Sequence, residues 1–96
     1  MHLGIARVVL HLAESHSLKQ KRTVVKSVIA RLRNRFNVAV AEVDSQDSWG
    51  VATLGIVCVS TDPRHANEII DKVVAFIASE RLDAEIGEVL TELIAV

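Results

Sequence analysis

SLKQKRTVVKSVIARLRNRFNVAVAE, residues Ser17 to Glu42, is the stretch whose reading decides the fold. Ser17 can offer its hydroxyl to the free backbone N–H groups of a new helix, and Gln20, three residues on, completes a capping-box pattern. At about 100° per residue, Leu18, Val25, Ile29, Leu32 and Phe36 fall on one face with Val28 beside them. That face is the expected buried stripe. Lys19, Arg22, Lys26 and Arg33 project along one flank, within about 60° of one another on the same spacing. Arg31 and Arg35 lie on the other flank. Asn34 to Asn37 should end the helix, with an Asn in the left-handed cap conformation. Asn37 to Val43 then alternates as a strand.

Working outward, His2 to Leu12 (HLGIARVVLHL) reads as a first strand. One parity, Gly4, Ala6, Val8, Leu10 and Leu12, is uniformly apolar and should lie under helices. The other, Leu3, Ile5, Arg7, Val9 and His11, is apolar but interrupted by charge. After the polar turn at Asp44 to Ser48, Val51 to Ser60 (VATLGIVCVS) has almost no polar residue and should be a central strand covered on both faces. Asp62 is a good N-cap and Pro63 suits the first helical position. Ala66, Ile69, Ile70, Val73 and Ile77 repeat at helical spacing, and that helix fades over Ser79 to Leu82. Glu85 to Val96 reads as a last strand, with Ile86, Glu88, Leu90 and Glu92 sharing one face.

The order β-α-β-β-α-β in 96 residues implies a single domain, 1–96, of the α+β class. It is the ferredoxin-like arrangement, and right-handed crossovers give an antiparallel four-stranded sheet of order 4-1-3-2 with both helices on one face. The last strand then lies beside the first, and Arg7 is expected to meet Glu88 or Glu92.

Net charge is −1, and the charge is separated along the chain: residues 15–41 carry +7 and residues 42–96 carry −8. Such separation bears on association rather than on fold. The lone cysteine, Cys58, excludes an intramolecular disulfide and reads as a small core residue. With no signal-peptide pattern and no long apolar run, the expectation is a cytoplasmic protein without a membrane role. His2, His11, His16 and His65 lack metal-ligand spacing, and no cofactor is expected. No phosphate-cradling glycine loop, Cys-x-x-Cys or catalytic triad is present, so enzyme is the weakest class. Neither central strand carries an aromatic for base stacking, so any RNA contact would be to backbone.

The runs SLKQKR (17–22), LRNRFNVAVAEV (32–43) and QDSWGVATLG (46–55) resemble the YlxP-like family of small bacterial proteins, domain of unknown function 503. The resemblance covers nearly the whole chain. It implies a ferredoxin-like fold, self-association and no established activity. It also implies a setting near translation and ribosome-maturation genes.

Two expectations about function follow. The first is a non-enzymatic adaptor that contacts RNA or a ribosomal particle through Lys19, Arg22, Lys26 and Arg33, with Lys21, Arg31 and Arg35 as secondary contacts. The alternative is a homo-oligomeric interaction or ligand-responsive module, a dimer first, that buries the open sheet face through Leu3, Ile5, Val9 and Leu90. The hairpin residue Trp49 is either a recognition tip or a local staple folded over the sheet edge, the staple being favoured.

Overall fold

A computed structural model describes residues 1–80 and 83–96. Its elements are β1 (His2–His11), α1 (Leu18–Arg35), β2 (Ala39–Asp44), β3 (Val51–Ser60), α2 (Pro63–Ser79) and β4 (Glu85–Ala95). The strands form one antiparallel sheet in the order β2-β3-β1-β4. This is the ferredoxin-like α+β fold.

Local chemistry sets both helix starts. The Ser17 hydroxyl accepts from the Gln20 N–H at 3.1 Å, while Gln20 Oε1 reaches back to accept from the His16 N–H. The reciprocal bond thus lands one residue before the cap. Asp62 accepts from the Arg64 N–H at 2.8 Å, with Pro63 in the first turn. The end of α1 differs from expectation. Phe36 caps it in an extended conformation, its N–H donating to the Leu32 carbonyl, and no Asn adopts the left-handed region. The helix ends because the chain turns directly into β2. At the other helix, Ser79 is the last helical residue; Arg81 and Leu82 lie outside the described residues.

The core lies between one face of the sheet and the two helices. Ala6, Val8 and Leu10 of β1 meet Ala52, Leu54, Ile56 and Cys58 of β3, with Val25, Val28 and Leu32 from α1 and Ala66, Ile70, Val73 and Ile77 from α2. Cys58 is a buried core residue, as its neighbours in sequence suggest. At Gly4, α2 lies close against the sheet. A Cβ there would sit 2.7 Å from Ile70 Cγ1, 2.9 Å from the Ala66 carbonyl oxygen and 2.9 Å from Cys58 Sγ. Gly4→Ala should therefore cost about 1–3 kcal/mol, because helix backbone must move. At Gly55 the nearest obstacle is Cγ1 of the exposed Val43, which can turn aside. Gly55→Ala should stay within about 0.5 kcal/mol of wild type. Urea midpoints of the two variants check this contrast.

Three placements depart from the sequence reading. A bulge separates Val8↔Val89 from Leu10↔Ile86, so Gly87 and Glu88 together oppose Val9. One extra residue flips the parity. Ile86 accordingly faces the helices with Leu10, while Leu90, paired with Arg7, faces away. Arg7 does not meet Glu88 or Glu92; its Nη2 donates to Asp44 Oδ2 at 3.1 Å, reaching across the glycine at position 55. Finally, β3 is covered on one face only, and Val59 is 61% exposed on the other.

Candidate functional site

The seven basic side chains of α1 divide by what they touch. Lys21 lies in the middle of the buried stripe, between Leu18 and Val25, and is 1% exposed. Its Nζ donates to the Ser45 carbonyl at 2.5 Å and lies 2.8 Å from Glu42 Oε2. That oxygen is buried and receives no well-aligned hydrogen bond, so its attraction to Nζ is chiefly Coulombic. Lys21 is therefore corrected out of the set of phosphate contacts: its ammonium faces the hairpin, not solvent. Arg33 Nη2 donates to the Val40 carbonyl at 3.0 Å, binding the helix to β2. Arg31 Nη1 is 3.9 Å from Glu80 Oε2, and the Arg35 guanidinium lies 5.1 Å from the centre of the Phe76 ring, which itself meets Phe36 edge-on. These two hold the end of α1 to the end of α2.

Lys19, Arg22 and Lys26 remain. All three are exposed, and among the described residues none makes an ion pair or side-chain hydrogen bond. They stand about 110° around the helix from the centre of the buried stripe and span about 10 Å of its axis. Ser17 fixes where the helix starts, and the stripe Lys21, Val25, Val28 and Leu32 fixes its rotation. Together these aim the three cations at solvent.

The buried lysine anchors a relay around the hairpin. Ser45 has φ of 62°, in the left-handed region. Its carbonyl accepts from Lys21 and from the Ser48 N–H, its hydroxyl meets Thr53 Oγ1 at 3.0 Å, and its N–H donates to Asp44 Oδ1. Asp44 in turn holds Arg7. Helix α1 is thereby tied to the far face of the sheet. Trp49, near the end of the hairpin, keeps 52% of its surface exposed.

That far face carries Leu3, Ile5, Val9 and Leu90. Leu3, Ile5 and Val9 are half-buried, while Leu90 is exposed. Leu3 pairs with Val59 and Ile94, and Ile5 with Val57 and Glu92. Val57, Val59 and Ile94 thus join the patch. Their signal was present in the sequence: β3 is apolar at both parities, and only one parity can face the helices.

Among the described residues no group of His, Cys, Asp and Glu could hold a metal ion, and no helix is long and apolar enough to cross a membrane. A cleft beside the start of α1 is lined by Glu14, Ser15, Gln20, Thr23, Val24 and Asp83. Its carboxylates disfavour an anion there.

The uncharacterized protein YlxP of Bacillus subtilis (strain 168) is 35% identical over 77 residues, covering 80% of this chain and 84% of that protein. The family described as a protein of unknown function, DUF503, matches residues 3–91. The chain therefore belongs to the DUF503 family, with a YlxP-like sequence over most of its length.

Proposed function

We propose that the chain is a cytoplasmic, non-enzymatic adaptor that contacts the phosphate backbone of RNA, free or in a ribosomal particle, through Lys19, Arg22 and Lys26. One observation carries this reading: four of the seven cations of α1 are engaged inside the molecule, and the three that are not share one exposed flank. Surface cations without partners are available to displace counterions from phosphate. Arg33 lies on the same flank and can add a contact with the guanidinium nitrogens not used at Val40. Sequence-specific reading plays no part, since the open sheet face offers aliphatic side chains rather than aromatic platforms. Filter binding to a single-stranded RNA tests the idea. Three to four phosphate contacts predict that affinity falls about 20- to 50-fold between 50 and 200 mM salt. Absence of binding at the lower salt sinks the proposal.

A second reading rests on the uncovered face of β3. Val57 and Val59 join Leu3, Ile5, Leu90 and Ile94 in an apolar patch of a kind that soluble monomers rarely leave bare. We infer that a second copy covers it, giving a homodimer with an α1 helix on each outer side. Sedimentation should give a dimer for wild type and a folded monomer for Ile5→Lys with Val59→Lys. A wild-type monomer at high concentration removes this reading and leaves the first intact.

A further inference from the structure

We propose that the outer edge of β4 accepts an extended peptide bearing Lys or Arg on alternate residues, which adds to the sheet as a fifth strand. Among the described residues, the sheet order leaves β4 with β1 on one side and no strand on the other. The ladder shows which groups point outward. Met1 N donates to the Val96 carbonyl at 3.0 Å, and Val96 N to the Met1 carbonyl at 2.8 Å, so these two residues form a hydrogen-bonded pair. Such pairs alternate along an antiparallel ladder. The register runs unbroken from His2↔Ala95 to Val8↔Val89, so Leu90, Glu92 and Ile94 bond inward to β1. Val89, Thr91, Leu93 and Ala95 then turn their N–H and C=O groups to the free edge.

The two edges of the sheet differ in their protection. β2 has six residues, a bulge between Glu42 and Asp44, and the Arg33 side chain on the Val40 carbonyl. These are the usual devices that blunt an edge. β4 has eleven residues, no Pro, Lys or Arg, and no side chain bonded to its backbone among the described residues. Its bulge lies near one end, leaving 89–95 straight.

Charge and shape select the occupant. Glu85, Glu88 and Glu92 are exposed along β4 with no cation on the strand. A second copy would bring three more carboxylates to the same seam, and like charges across a ladder destabilise it. A basic strand reverses the sign of that interaction. Leu90 and Leu93 lie on opposite faces of β4, 54% and 46% exposed, and would flank an added strand on both sides. On the helix side, Asn67, Ile70, Thr91, Glu92 and Leu93 line a cleft of about 100 Å³. It has room for one small side chain of the peptide. Backbone bonds would supply the affinity, and this cleft with the glutamates would supply the preference. This edge is separate from the α1 flank and calls for a ligand of opposite charge.

The test uses a fluorescent nonapeptide alternating Val and Lys, blocked at both ends, against the full chain. Saturable binding is expected, with new hydrogen-exchange protection at the amides of Val89, Thr91 and Leu93. N-methylation of alternate peptide nitrogens keeps the charge and should weaken binding at least about tenfold. Glu88→Lys with Glu92→Lys should weaken the parent peptide about tenfold and favour a Val-Glu peptide instead. Equal affinity for the N-methylated peptide would reduce the interaction to bulk charge and overturn the proposal. Protection that maps to α1 or to the open face, or edge amides already protected by a concentration-dependent self-pairing, would overturn it too.

Discussion

Glu42→Ala should be the most damaging single substitution outside the apolar core, costing about 3–4 kcal/mol and lowering the melting temperature by about 12–25 °C. The reason lies in what it leaves behind. The Lys21 ammonium is 1% exposed, and among the described residues its one partner besides Glu42 is the Ser45 carbonyl. An uncompensated buried charge costs far more than the pair is worth. The converse change is milder. Lys21→Met keeps the aliphatic stem in the stripe with Val25, Val28 and Leu32, and the Glu42 side chain, 20% exposed, can take up water. About 1–2 kcal/mol is expected there. Lys21→Met combined with Glu42→Leu should recover most of the loss, because a packed apolar pair can replace a buried ion pair at little cost. Urea unfolding of wild type and the three variants measures these costs side by side. A cost below about 1 kcal/mol for Glu42→Ala would mean that Lys21 reaches solvent by a small side-chain shift.

This pair also marks what the sequence could and could not disclose. The helix N-caps, the apolar parity of β1 and the order of elements were legible, because each is a local pattern with a local cause. Ser17 and Asp62 both cap as their side-chain chemistry dictates. The sheet order followed from the handedness of the crossovers. The burial of Lys21 was legible in the sequence. At about 100° per residue it falls inside the stripe, between Val28 and Leu32, and Glu42 is the first acid that follows it. The partner of Arg7 was not legible, since Asp44 comes from a strand two places away in the sheet. Nor was the bulge in β4: Gly87 hints at irregularity but does not say which residue is extra. A Cβ there would come within 2.6 Å of the His11 imidazole, a contact set by a strand far away in sequence.

Lys19→Glu, Arg22→Glu and Lys26→Glu combined should abolish the proposed RNA contact while leaving the fold untouched. Each loss of a phosphate contact reduces the salt slope by about 0.7–0.9, so three losses should flatten it almost completely. With three cations turned into three anions on one flank, affinity at 50 mM salt should fall at least about 100-fold. Stability should move the other way if it moves at all. The three side chains are exposed and make no ion pair or side-chain hydrogen bond among the described residues, so each change costs within about 0.5 kcal/mol. Lys19 and Arg22 also lie near the start of α1, where no acid is present in the first turn. Glutamate there interacts favourably with the helix dipole, by about 0.3–1 kcal/mol. A protein that melts no lower than wild type yet has lost its salt-dependent binding would separate recognition from folding. Arg31→Glu with Arg35→Glu is the matched control: it removes two cations from the opposite flank and disturbs the Glu80 and Phe76 contacts instead. Equal loss of binding in both variants would reduce the effect to net charge, and unchanged binding in the triple variant would remove Lys19, Arg22 and Lys26 as the contact surface.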